Sequence, residues 1–151
     1  MEHSKVAAAA AAAAAATTIA YLVSQRTHAT ADLWERTLGD ISRGVVVLRV
    51  SSVKAMDMND AGCSVATGFI VDKKLGLVLT NRHVVTTGPT TADMVLLNKE
   101  EIELTPVYAD PVHDFGFFRY DPAAVRHMEL HEIKLAPSGA RVGLEVRVVG
   151  N

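Results

Sequence analysis

The spacing of apolar positions changes character along the chain. Leu33, Trp34, Leu38 and Ile41 fall on one helical stripe, and Asp32 and Glu35 stand three apart as in a capping box. Arg43 and Gly44 follow as C-terminal signals, so a short amphipathic helix is predicted from about Asp32, with Trp34 as its anchor. From Val45 the texture turns to β-branched runs. Val45–Val50 is a strand too short to be a buried helix, and Ser64–Val71 is a second, with Gly68 marking a bulge or a close backbone approach. A hairpin connection over 72–76 leads into Leu77–Leu79. Met94–Leu97 and Ile102–Leu104 form another hairpin, whose return strand continues through Pro106–Tyr108, and Phe115–Tyr120 closes the series. Turn-forming residues fill 51–62, 86–91 and 110–114. Short strands at this spacing predict an all-β antiparallel barrel or sandwich rather than a βαβ sheet.

The last segment does not join that set. Val142, Leu144, Val146 and Val148 alternate with Gly143, Glu145 and Arg147, which is period-2 strand patterning after a linker at 137–140. Such a strand has no partner left in the sequence and would be an exposed edge. The chain reads as if cut where a second sheet begins. Three regions follow: an extension over 1–31, a helix-plus-strand domain over 32–136, and a linker with one strand over 137–151.

Composition alters this picture mainly at the N-terminus. The hydrophobic share is 49%, but Ala7–Ala16 are consecutive alanines that inflate it. The uncharged stretch 6–23 has the length of a signal peptide or a minimal membrane span. Alanine contributes little to transfer into lipid, so a low-complexity extension is preferred and a membrane span is not expected. Signal, anchor and organelle-transit readings stay open, and localisation with them. The net charge of −2, with both signs interspersed, gives no electrostatic case for nucleic-acid binding. A single cysteine, Cys63, excludes an internal disulfide framework.

Candidate chemistry centres on 77–85, where an apolar run ends in Thr80-Asn81 and His83 follows with two valines behind it. Asp114 opens another strand. A nucleophilic hydrolase needs an imidazole to take a hydroxyl proton and a carboxylate to fix its tautomer. These residue types alone do not separate that role from a satisfied His and a turn Asp.

The wording around them is more specific. Ala66-Thr-Gly-Phe-Ile-Val-Asp72, Gly76-Leu-Val-Leu-Thr-Asn-Arg-His-Val-Val85 and His113-Asp-Phe-Gly-Phe-Phe118 resemble the first barrel of trypsin-like serine proteases of the HtrA/Deg type. Asp110–Phe118 and Val146–Asn151 resemble most the large Deg proteases with duplicated protease regions and PDZ domains, known from fungal nuclei and plant plastids. The resemblance spans about 32–151. It implies a six-stranded antiparallel barrel over 44–120 and the opening strand of a second barrel over 142–150. It makes His83 the general base and Asp114 its orienting carboxylate. It also implies serine endopeptidase chemistry on polypeptide substrates, no metal or organic cofactor, and a nuclear or plastid location. A homo-oligomer is compatible with it in the full-length enzyme.

The nucleophile is missing. The family's serine lies in a Gly-x-Ser-Gly type of turn that also forms the oxyanion hole, and none of Ser4, Ser24, Ser42, Ser51, Ser52, Ser64 or Ser138 sits in one. This chain alone is therefore expected to be inactive. The competing reading is a non-catalytic barrel that binds peptides or assembles with partners. Cys63 precedes a strand without an oxyanion turn and is not expected to replace the serine. His127 and His131 could chelate a metal only on a helix, and a solvated surface is preferred. His113 is read as a turn residue beside Asp114, and Gly116 as a position where a side chain would crowd the His-bearing loop.

Overall fold

A computed structural model describes residues 32–55, 60–86 and 88–150. The alanine tract lies outside these residues. No helix among them is long and apolar enough to cross a membrane. The chain divides between Gly39 and Asp40 into two units. In the first, the described residues belong to α1 (32–41), where Thr37 Oγ1 donates to the Leu33 carbonyl at 2.8 Å, one turn back.

The second unit is a closed antiparallel barrel of β1 (Val45–Ser52), β2 (Gly62–Asp72), β3 (Leu77–Thr80), β4 (Thr90–Val95), β5 (Glu101–Ala109) and β6 (Gly116–Arg119). Around the barrel the order is β1-β2-β3-β6-β5-β4, and β1 closes against β4 in register from Val47↔Val95 to Ser52↔Thr90. Closure leaves the sheet with no free edge along its paired length. The period-2 pattern sets the interior: Val46, Leu48 and Val50 of β1 meet Ile70, Val78, Met94, Ile102, Leu104 and Phe118, all buried.

Glycines let these side chains fit. A Cβ at Gly68 would lie 2.7 Å from Val78 Cγ1 and 3.0 Å from Leu48 Cδ1, so this residue is a close approach. The irregularity in β2 falls instead between Ile70 and Asp72. Gly76, at φ +69°, turns the β2–β3 hairpin in the left-handed region. Gly44 is not a left-handed helix cap. Its missing side chain makes room for the 131–133 segment, because a Cβ there would stand 2.5 Å from the His131 carbonyl oxygen. That segment is fastened to the barrel by Ile133 N–H donating to the Ile70 carbonyl at 2.8 Å.

Two departures from the sequence pattern stand out. β4 begins at Thr90, within a stretch expected to be loop, because polar residues there are held by the ladder to β1. The strand expected over 142–149 does not form: Val142, Val146 and Val148 are exposed and no neighbouring chain pairs with them among the described residues. Alternation alone cannot hold a strand, since a ladder needs a partner for its N–H and C=O groups.

Candidate active site

The turn that carries His83 is built by its neighbours. At the end of β3 the buried Thr80 donates its hydroxyl to the Thr67 carbonyl at 2.9 Å, which ends the strand inside the barrel. Asn81 stays extended, and a single 3-10 turn follows over Arg82–Val84, closed by Val84 N–H to the Asn81 carbonyl at 3.1 Å. Val84 and Val85 are both buried and pin this turn to the core. His83, immediately before them, is left on the outer side, with 63% of its side chain exposed.

Asp114 reaches it from the loop before β6. Asp110 fixes that loop: its carboxylate accepts from the N–H of Val112 at 2.9 Å, the N–H of His113 at 2.6 Å and the Tyr108 hydroxyl at 2.9 Å. These bonds, led by the His113 N–H, hold the Asp110 carboxyl at about 2, well below its ordinary range. Asp114 then lies with Oδ2 at 2.9 Å and Oδ1 at 3.0 Å from His83 Nδ1. Its Oδ1 also accepts the backbone N–H of His83 at 3.1 Å. Partial desolvation raises the Asp114 carboxyl, but the bonds from the His83 N–H and imidazole, with Asn81, outweigh it and hold the group low. An ionised carboxylate only accepts, so Nδ1 must donate, and a neutral imidazole then presents an acceptor at Nε2. Nε2 has no hydrogen bond among the described residues, and His83 lines a cleft of about 450 Å³ with Val50, Ser52, Gly62, Cys63 and Val84.

With this geometry in place, residues 66–151 match the trypsin-like peptidase domain. The chain belongs to the trypsin-like peptidase family. Within it the chain is of the HtrA/Deg type. It is 58% identical over 123 residues to "Protease Do-like 7" of Arabidopsis thaliana, covering 82% of this chain and 11% of that protein. It is 48% identical over 118 residues to "Pro-apoptotic serine protease NMA111" of Vanderwaltozyma polyspora, covering 78% of this chain and 12% of that protein. The chain thus spans only about a ninth of the length of these relatives. The solved HtrA-type protease AlgW with tripeptide superposes over 70% of this chain and 31% of its own, with a TM-score of 0.53 at 20% identity, a likeness of fold.

Other candidates in this trypsin-like peptidase chain fall away from the His–Asp pair. Cys63 is exposed in the cleft with His83, yet its thiol lies against Ser51 Oγ at 3.2 Å and makes no hydrogen bond with the imidazole. Ser138 sits in an exposed 3-10 turn, Pro137–Gly139. Residues 125–136 are not helical, so the spacing of His127 and His131 does not bring two imidazoles to one helix face. His113 contacts Asp110 at 3.2 Å rather than Asp114. Gly116 does stand against the His-bearing loop, where a Cβ would be 2.8 Å from Val85 Cγ2. Sequence reasoning passed over Asn81 and Asp110. Asp110-Pro111 carried a turn signal that could have pointed to the second; nothing local to Asn81 announced its partner.

Proposed function

We propose that this chain carries the base half of a serine endopeptidase site, with His83 as general base and Asp114 as the carboxylate that orients it. The observation that supports this is the Nδ1–Oδ2 distance of 2.9 Å, at a His83 that lines the cleft. In the reaction Asp114 accepts the Nδ1–H and fixes the tautomer. Nε2 takes the proton of a serine hydroxyl as its oxygen attacks the peptide carbonyl, and the imidazolium then protonates the leaving amine. Asp114 stabilises the imidazolium throughout and is not itself protonated. The substrates are polypeptides. The serine and its oxyanion donors are supplied by sequence other than these 151 residues, which contain no Gly-x-Ser-Gly turn. We assign 32–136 to the first barrel with its preceding helix, and 137–151 to a linker and the start of a second barrel.

A fluorophosphonate probe tests this reading. The full-length protein should be labelled on its serine and should lose labelling in His83→Ala. Turnover should fall on the order of 10⁶-fold in that variant and roughly 10⁴-fold in Asp114→Asn. Residues 1–151 alone should remain unlabelled; labelling of that fragment would overturn the account of the nucleophile. A full-length protein that binds unfolded polypeptide but takes no probe would favour the non-catalytic barrel.

A further inference from the structure

Asn81 has the residue type and position of a helix cap, because it is the N-cap of the 3-10 turn that carries His83. Its side chain makes no capping hydrogen bond there. The amide nitrogen Nδ2 instead crosses to the other loop and donates to Asp114 twice, to the backbone carbonyl oxygen at 3.3 Å and to Oδ2 at 3.2 Å. The orientation of the amide follows from chemistry. Both facing atoms of Asp114 are acceptors, so the NH₂ and not the carbonyl of Asn81 must point at them.

The consequence is geometric. A carboxylate held only through a ring nitrogen can still rotate about its Cα–Cβ and Cβ–Cγ bonds. Asn81 grips the main chain and the side chain of Asp114 with one group, which removes both rotations. The backbone N–H and Nδ1 of His83 occupy the remaining directions, at 3.1 Å and 3.0 Å from Oδ1. Asn81 and His83 are two residues apart on one rigid turn, so the same element presents three donors to Asp114. Both Asp114 and His83 are half or more exposed, at 50% and 63%, so solvent does little to restrain either. We propose that Asn81 is a positioning residue for the His83–Asp114 pair, holding the Asp114 carboxylate in the plane that the imidazole needs.

The proposal builds on the catalytic reading above but can be tested apart from it. In the 151-residue chain, ¹³C NMR should follow the Asp114 carboxyl titration in the parent, Asn81→Ala and Asn81→Asp. Aspartate caps a turn as well as asparagine does, so a purely local structural role for Asn81 predicts that Asn81→Asp changes nothing. Positioning predicts the opposite. The Asp114 midpoint should rise in Asn81→Ala through loss of a donor to the charged form, and rise further in Asn81→Asp through a like charge about 3 Å away. In the full-length enzyme both variants should lose roughly ten- to a hundredfold in kcat with KM little changed. Folded variants whose Asp114 midpoint does not move would overturn the positioning role, whatever the activity of the enzyme. A shifted midpoint with unchanged kcat would leave the contact standing but refute its part in the reaction, and an inactive parent enzyme would refute the catalytic reading instead.

Discussion

Replacing Gly116 with alanine perturbs the site without touching either of its polar residues. The new Cβ would lie 2.8 Å from the Tyr108 carbonyl oxygen, 2.8 Å from Val85 Cγ2 and 3.2 Å from Val85 Cβ. Carbon pairs are at rest near roughly 3.5–4.0 Å, so the contact with Val85 Cγ2 is short by more than half an ångström. The two sides yield differently. Tyr108 and Ala109 are registered against Phe117 and Gly116 in the β5–β6 ladder, and retreat of that carbonyl would strain the ladder. Val85 is a side chain in the turn after His83, and although buried it is the softer partner. Overpacking of this kind costs about 1–3 kcal/mol, and a backbone atom among the clashing groups places Gly116→Ala in the upper half. For a domain of this size each kcal/mol lowers Tm by roughly 4 °C or more. Urea unfolding of the barrel, followed by far-UV circular dichroism, would measure the loss. Displacement of Val85 should also move the amide and imidazole NMR signals of His83. A midpoint equivalent to less than about 0.5 kcal/mol of change, with His83 signals unmoved, would show that the turn has slack at Gly116 and would refute the reasoning.

Two further outcomes follow from the same geometry. Asp110 has its carboxyl at about 2 in the folded chain against an ordinary 3.8, so the unfolded state binds more protons between these values. The stability it contributes is complete above about 3.8 and is lost as pH falls toward about 2; Asp110→Asn should flatten that acid slope in the urea midpoint, and parallel slopes in the two proteins would contradict it. Lys99, in the β4–β5 turn, adopts φ +69° without being glycine; left-handed backbone costs such a residue about 1–2 kcal/mol and glycine's extra chain entropy returns about 0.5–1, so Lys99→Gly should stabilise the barrel by up to about 1.5 kcal/mol, and a lowered urea midpoint would count against it.

The strands of this protein were legible because the interior of a small barrel imposes period two, and Val46, Leu48, Val50, Phe118 and their neighbours carry that period in their residue types. The loop reading of 86–91 failed at its end for the complementary reason: Thr90 and Thr91 are polar and are held by pairing with β1, which composition does not record. The segment 142–149 departs in the other direction: its alternation is present, but among the described residues nothing pairs with it and no ladder forms. Gly68 and Gly116 announced close approaches, but which atoms approach could be known only from the packing.

The sequence by itself determined the class of fold, the pattern of inward side chains and two candidate residues, His83 and Asp114, because periodicity and residue chemistry are local. Tertiary structure decided that these two stand 2.9 Å apart, that Asn81 turns from its own helix cap toward Asp114, and that Asp110 stiffens the loop between. Those contacts join β3 to the start of β6 through a register set by barrel closure. A hydrogen bond across 33 residues, such as the one from Asn81 to Asp114, is specified by the closing of the whole sheet and by nothing in the residues beside it.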